Sequence, residues 1–153
     1  MEAWELAARE GIRATIARCS HSGDRYDIDA LAACFTPDGV LALSGGPIGV
    51  REAAGRQGII AMLQRRQPDP PSHGFVRHNV ASIHIEAIAQ DRATAVSYFV
   101  VFTANGPDHW GRYFDVFLPT GEKWLIAERR IEIEGTATDS SLGHRWTLSD
   151  DSS

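Results

Sequence analysis

Apolar residues in the first twenty positions recur at Trp4, Ala8, Ile12, Ile16 and Cys19, spaced by four, four, four and three with polar side chains between them. That is one face of an amphipathic helix, and it predicts a helix running to about Ser22. Asp27 then precedes Ile28, Leu31, Ala32 and Phe35. An aspartate ahead of an apolar i, i+3, i+4 set predicts a short second helix capped by that carboxylate. Thr36-Pro37-Asp38-Gly39 reads as the turn that stops it. Gly39 to Leu43 follows as a brief strand and Ser44 to Gly49 as a loop. Val50 to Arg66 reads as a third helix that uses Ile59, Ile60 and Leu63 and is closed by Pro68-Asp69-Pro70-Pro71.

From Phe75 the period changes to long runs rich in Val, Ile, Phe, Tyr and Thr. They are separated by Ala89-Gln90-Asp91-Arg92, Asn105-Gly106-Pro107-Asp108 and Pro119-Thr120-Gly121-Glu122. These are turn compositions between four strands, Phe75 to Ile88, Ala93 to Ala104, Trp110 to Leu118 and Lys123 to Glu134, and such short connections suit an antiparallel meander. Helices first and antiparallel strands after give an α+β fold. The strand from Ala93 is apolar on both faces, with Val96, Tyr98, Val100 and Phe102 against Ala95, Phe99 and Val101. One face is expected to cover helices or a cavity and the other a second subunit, so a homo-oligomer is expected. One domain is expected over residues 1–135. Residues 136–153, rich in Ser, Asp and Thr, are expected to be a mobile polar tail whose Trp146 and Leu148 dock on it.

The length of 153 residues is that of one domain. Hydrophobic residues at 43% supply a core, and a formal charge of -5 argues against nucleic acid or an anionic membrane as the main partner. A small, largely apolar ligand fits better. Cys19 and Cys34 sit among apolar residues and read as buried thiols rather than a disulfide framework. Mixed charges through the N-terminal segment leave no signal-peptide core, and no run is long enough to span a bilayer, so the expected location is cytoplasmic. The six histidines never fall as HxxxH or HxH, and no zinc or phosphate-loop spacing occurs, so neither a metal nor another cofactor is expected.

Four residues invite chemistry. Asp24 lies just past the first helix, where a carboxylate faces the negative end of the helix dipole; it is either a loop aspartate bonded to nearby groups or half of a catalytic pair. His78 opens the first long strand, in register with Val80, Ser82, His84 and Glu86 unless a bulge changes the parity. A lone strand histidine is most often solvated or satisfied in the core. A carboxylate on one ring nitrogen would instead fix its tautomer and leave the other nitrogen to take a proton. Arg129 shares a strand face with Leu125, Ala127 and Ile131 and therefore needs an anion, whether Asp24, Asp115 or a ligand group. Its neighbour Arg130 points the other way, beside Glu128. Tyr113 shares a face with Asp115, as a phenol aimed at a ligand oxygen or as plain core.

Taken together, Ile12-Arg-Ala-Thr-Ile-Ala-Arg, Asp24-Arg-Tyr-Asp27-Ile-Asp-Ala-Leu, Phe35-Thr-Pro-Asp-Gly-Val, Gly49-Val-Arg-Glu-Ala, Arg77-His78, Gly111-Arg-Tyr-Phe-Asp115 and Trp124-Leu-Ile-Ala-Glu-Arg-Arg-Ile resemble the SnoaL-like branch of the nuclear transport factor two-like superfamily over roughly residues 5 to 134. The resemblance implies a cone: a curved antiparallel sheet wrapped around N-terminal helices, with a central pocket. It also implies roles. In dehydratase and dehydrochlorinase relatives an Asp at the position of Asp24 orients a His at the position of His78, which removes a proton as a leaving group departs, and an arginine at the position of Arg129 assists the departing anion. Where many relatives carry Tyr or another polar residue five positions before the Asp, this chain has Cys19.

The expectation is therefore a cofactor-independent lyase or isomerase for a hydrophobic small molecule, with Asp24, His78 and Arg129 catalytic and Cys19, Tyr113, Tyr98, Trp110 and Leu125 against the substrate. A binding or assembly protein with the same cone is the alternative, and epoxide hydrolysis ranks below both because no Asp/Arg/Asp set is evident. The cone hosts enzymes and binders alike, so the fold alone does not choose between them.

Overall fold

Three helices and six strands make up the described part of the chain. In the structure, a computed structural model, this part comprises residues 1–66, 75–140 and Leu142. Helix α1 spans Ala3–Asp24, two residues past the expected end, and buries Ala8, Ile12, Thr15, Ile16, Cys19 and Ser22 along one face. Trp4, the first residue of the apolar series, is 38% exposed, so the stripe that packs begins at Ala8. The chain leaves the helix through Tyr26 at φ 57°, a left-handed conformation, and the next helix begins two residues later. Asp27 then caps α2 (Ile28–Ala32) as expected, its carboxylate accepting from the backbone N–H of Ala30 at 3.0 Å.

Strand β1 (Phe35–Ser44) is longer than the expected strand from Gly39. Thr36 to Gly39 is not a turn between elements but an irregularity inside the strand: between Phe35 and Val40 the pairing with the last strand advances only from Ile126 to Glu128. Only glycine fits at residue 39, because a Cβ would lie 2.9 Å from the Cβ of Phe35 and 3.1 Å from the carbonyl oxygen of Ile126. A single helical turn at Gly46–Ile48 leads to β2 (Arg51–Ala54), which pairs antiparallel with β1. Residues 50–54 were expected to be helical and are not. Every apolar residue that suggested a helix there lies after the break at Gly55 (φ 72°), and helix α3 (Gly55–Arg66) begins only at that glycine.

The meander follows as expected, with β3 (Val76–Ile88), β4 (Ala93–Thr103), β5 (Gly106–Thr120) and β6 (Lys123–Thr136). The reversal between β4 and β5 is tighter than expected, since Gly106 to Asp108 already belong to β5. The sheet order is β2-β1-β6-β5-β4-β3. All pairings are antiparallel except β1 with β6, which is parallel because the helical segment carries the chain back to lay β1 beside the last strand. The sheet is curved and unclosed, and α1 packs across β3 and β6 while α3 packs on β1. Ile12, Ile16, Phe35, Ile59, Phe99, Phe117 and Ile126 fill the space between helices and sheet.

Bulges decide which side chains reach that space. In β3 the register shifts between Ala81 and His84, with Ser82 at φ 51°. The expected grouping of His78 with Ser82, His84 and Glu86 is therefore wrong beyond Val80. Those three side chains are exposed, and half-buried Ile83 and buried Ile85 take over the inner face. In β6 a shift opposite Val116 and Phe117 likewise lets Ile126 and Arg129 both be buried although their positions differ in parity. The expected dockings of Trp146 and Leu148 lie outside the described residues. Just past β6 the backbone N–H of Ala137 donates to the carbonyl of Asp108 at 2.8 Å, and Leu142 is buried.

Candidate active site

Between the helices and the inner face of the sheet lies a cavity of about 70 Å³ that opens to solvent at its mouth. Its walls are largely apolar: Leu31 from α2, Phe35, Leu41 and Leu43 from β1, Met62 and Leu63 from α3, and Ile131 from β6. Cys19, Ser20, His78, Tyr113 and Arg129 supply the polar atoms. Alternation along β1 brings Leu41 and Leu43 to the same face, and a walk along that strand's parity would have found them in the sequence.

Asp24 and His78, fifty-four positions apart, meet here. Asp24 is the last residue of α1 and His78 lies near the start of β3. One carboxylate oxygen, Oδ1, lies 2.7 Å from His78 Nδ1 and accepts from the backbone N–H of His78 at 2.9 Å. The ring lies beside Gly23, where an added Cβ would make ordinary van der Waals contact with it at 3.6 Å. Partial burial pushes the Asp24 carboxyl up, but the bonds to the ring and backbone of His78, with the positive charges of His78 and Arg77, outweigh it and hold the group below its ordinary range. Those bonds also offset the unfavourable placement of a carboxylate at a helix C-terminus.

Arg129 answers its need for an anion with Asp115, donating from Nε at 2.8 Å and from Nη2 at 2.7 Å. Both residues are buried, and the third guanidinium nitrogen, Nη1, points to Cys19 Sγ at 3.4 Å. Burial alone would lower the arginine's affinity for its proton, but the adjacent carboxylate more than reverses that and the guanidinium stays charged. Tyr113 underlies this group, with Arg129 4.3 Å above its ring and Phe99 stacked on it at 4.5 Å. Cys19 itself is held down to about 7, first by a hydrogen bond from Cys34; burial opposes this and the charge of Arg129 assists it. Cys34 is raised in turn by the same bond and by burial.

The other expected ligand contacts are elsewhere. Tyr98 is 57% exposed and Trp110 is exposed on the outer face of the sheet, because they fall on the parity opposite to Phe99 and Tyr113. Leu125 is buried but lines neither the cavity nor the main core cluster. Arg130 is exposed as expected, with Glu132 rather than Glu128 as its nearest acid at 3.5 Å. One feature escaped the sequence reading: a second acid–imidazole pair, Asp108 with His109 at 2.7 Å, buried where Ser140 also donates to Asp108 at 2.8 Å. Its adjacency in sequence was visible, but nothing local marked that pair as buried. Among the described residues no group of three or more His, Cys, Asp or Glu could hold a metal ion, and no helix is long and apolar enough to cross a membrane.

Residues 4–130 match the model of the SnoaL-like domain. The chain belongs to the SnoaL-like family. No curated protein matches its sequence. Among solved structures, this SnoaL-like protein is similar to Rv3472 of Mycobacterium tuberculosis, whose function is unknown, at 21% identity and a TM-score of 0.78 over 95% of this chain and 89% of that one. It is also similar to a candidate scytalone dehydratase of Novosphingobium aromaticivorans (18% identity, TM-score 0.75, 90% and 91% covered) and to ActVI-ORFA of Streptomyces coelicolor (22%, 0.70, 82% and 96%). These likenesses establish an NTF2-like, cystatin-like fold. The SnoaL-like family includes cofactor-independent enzymes, and its members bind small hydrophobic ligands.

Proposed function

We propose that this SnoaL-like protein is a cofactor-independent lyase or isomerase acting on a hydrophobic small molecule, with His78 as general base. The observation that carries the reading is the 2.7 Å contact between Asp24 and His78 Nδ1 at the wall of an apolar cavity. A carboxylate there favours the tautomer with the proton on Nδ1, leaving the lone pair of Nε2 to remove a proton from carbon, and it stabilises the imidazolium that forms. In an elimination the C–H electron pair becomes the new double bond while the leaving group departs with its own pair. Arg129 Nη1 and Tyr113 are then the groups that meet the developing negative charge. In an isomerisation the same proton returns to another carbon of the substrate.

Relatives support this direction: one similar structure is described as a candidate scytalone dehydratase. The non-catalytic alternative draws on a different bond. Asp24 also accepts the backbone N–H of His78, a contact that a purely structural pair would make as well. Two further readings accompany the proposal. The exposed aromatic outer face of the sheet, with Tyr98 and Trp110, is proposed to join copies of the chain, and the free cysteines suit a cytoplasmic protein.

The test is a panel of hydrophobic β-hydroxy and β-halo ketones and β,γ-enones, followed by the absorbance of the conjugated product. His78→Ala is expected to lower turnover by about 10²–10⁴-fold with only a small change in melting temperature. Turnover equal to wild type would remove His78 from the mechanism. Tight ligand binding with no turnover across the panel would favour the binding protein.

A further inference from the structure

The proton-transfer chemistry makes no use of the two thiols, yet one of them is built into the cavity wall. Cys19 lines the cavity from α1, one turn before Gly23, against which the His78 ring lies. One turn of helix places its sulfur about 6 Å along the axis from that point, so a single ligand can touch both groups. Two polar groups act on the sulfur. Arg129 Nη1 donates to it at 3.4 Å, and this guanidinium cannot swing away because its Nε and Nη2 are both bonded to Asp115. Cys34 is the second, through the hydrogen bond that lowers the Cys19 thiol. Its single S–H has two acceptors within reach, the carbonyl of Ala30 at 3.5 Å and the sulfur of Cys19. A negative sulfur is the stronger acceptor, so ionisation of Cys19 draws that proton toward itself.

We propose that Cys19 is a nucleophilic capture site for α,β-unsaturated carbonyl compounds bound in the cavity. The sulfur lone pair forms a bond to the β-carbon, and the C=C pair shifts to give an enolate. The α-carbon then takes up a proton from water, replacing the one the thiol released to water on ionising. The product is a thioether that retains the carbonyl, and no oxidant or reductant takes part. An apolar wall of Leu31, Leu41 and Ile131 favours an uncharged ligand, and a polarisable sulfur favours a conjugated carbon over a hard carbonyl carbon. The groups facing the sulfur are Arg129, Asp115 and Tyr113 from the sheet, Cys34 from the segment before β1, and His78 across the cavity, with Arg18 acting on Cys34 from α1. Arg129 and Cys34 favour the thiolate, Asp115 opposes it, and the thiol is held near 7.

Capture needs no turnover and stands apart from the proposed reaction. It meets that reaction at one point, since elimination beside a carbonyl yields this class of electrophile. The test treats the native protein with 2-cyclohexenone and with N-ethylmaleimide and follows the adducts by intact mass and peptide mapping. One adduct, on Cys19, is expected. Its rate should rise only about two-fold between pH 7 and pH 9, where an ordinary thiol near 8.5 would gain about 25-fold. Cys19→Ser should abolish it, and Cys34→Ala, which removes the donor, should steepen the pH profile toward that of the ordinary thiol. Cys34→Ser, which keeps a donor, should stay near wild type and serves if the alanine variant does not fold. His78→Ala should still form the adduct, so loss of turnover and loss of capture are read separately. Labelling of Cys34 alone, labelling only after unfolding, or an ordinary-thiol pH profile would overturn the proposal.

Discussion

Removing either member of the Asp24–His78 pair should not cost the same stability, and the geometry sets the order. Asp24 Oδ1 accepts two bonds from residue 78, one from the ring and one from the backbone N–H. Asp24→Ala removes both and leaves the backbone donor of a β-strand residue without its partner. A hydrogen bond to a charged group contributes about 1.5–3 kcal/mol, but water reaches this pair, whose side chains are 22% and 11% exposed, so the combined loss is about 2–4 kcal/mol. His78→Ala deletes only the ring. The carboxylate keeps the backbone bond and its access to water, and the expected cost is about 1 kcal/mol. Urea unfolding followed by fluorescence of the four tryptophans measures both at pH 7. The pH dependence has a definite sign. The folded-state pKa of Asp24 lies below its unfolded value, so its contribution is complete above about 3.9 and is lost as pH falls through the folded value. The gap between wild type and Asp24→Ala should therefore narrow in acid. A cost for His78→Ala equal to or above that of Asp24→Ala, or a gap that widens in acid, would refute the reasoning.

Breaking the buried pair beneath the cavity should cost more: Arg129→Met or Asp115→Asn alone should destabilise by about 3–5 kcal/mol, because each strands a buried charge, whereas an apolar replacement of both should recover much of it in thermal unfolding. Unchanged melting temperatures in both single variants would contradict the burial of this pair. If the outer face joins copies of the chain, Tyr98→Asp should shift sedimentation toward the monomer without affecting thermal stability, since this side chain is 57% exposed. A monomeric wild type would end that proposal.

How much of this was written in the sequence differs by element. The α1 stripe, the Asp27 cap and the four meander strands were legible because their signals are local: a spacing of three to four, one capping carboxylate, and β-rich runs between turn residues. The second strand was not, since Arg51 to Ala54 carries no alternation of its own and is extended because β1 offers it an edge and Gly55 breaks the helix behind it. Strand parity held only as far as the first bulge. His84 left the inner face because Ser82 inserts a residue that no partner strand matches, and periodicity cannot see an inserted residue.

The site divides along the same line. Residue types and a family resemblance named Asp24, His78 and Arg129 beforehand. Which anion Arg129 would take was undecidable until β5 and β6 paired Asp115 opposite it. Tyr98 and Trp110 were expected against the substrate and face outward by one position of parity. The bond between Cys34 and Cys19 could not be read at all, because the chain between them turns through Tyr26 and α2 before bringing the second thiol back under the first. Local pattern determines what each segment can become. Which side chains share a cavity is decided by register and chain reversal, and these depend on contacts between residues distant in sequence.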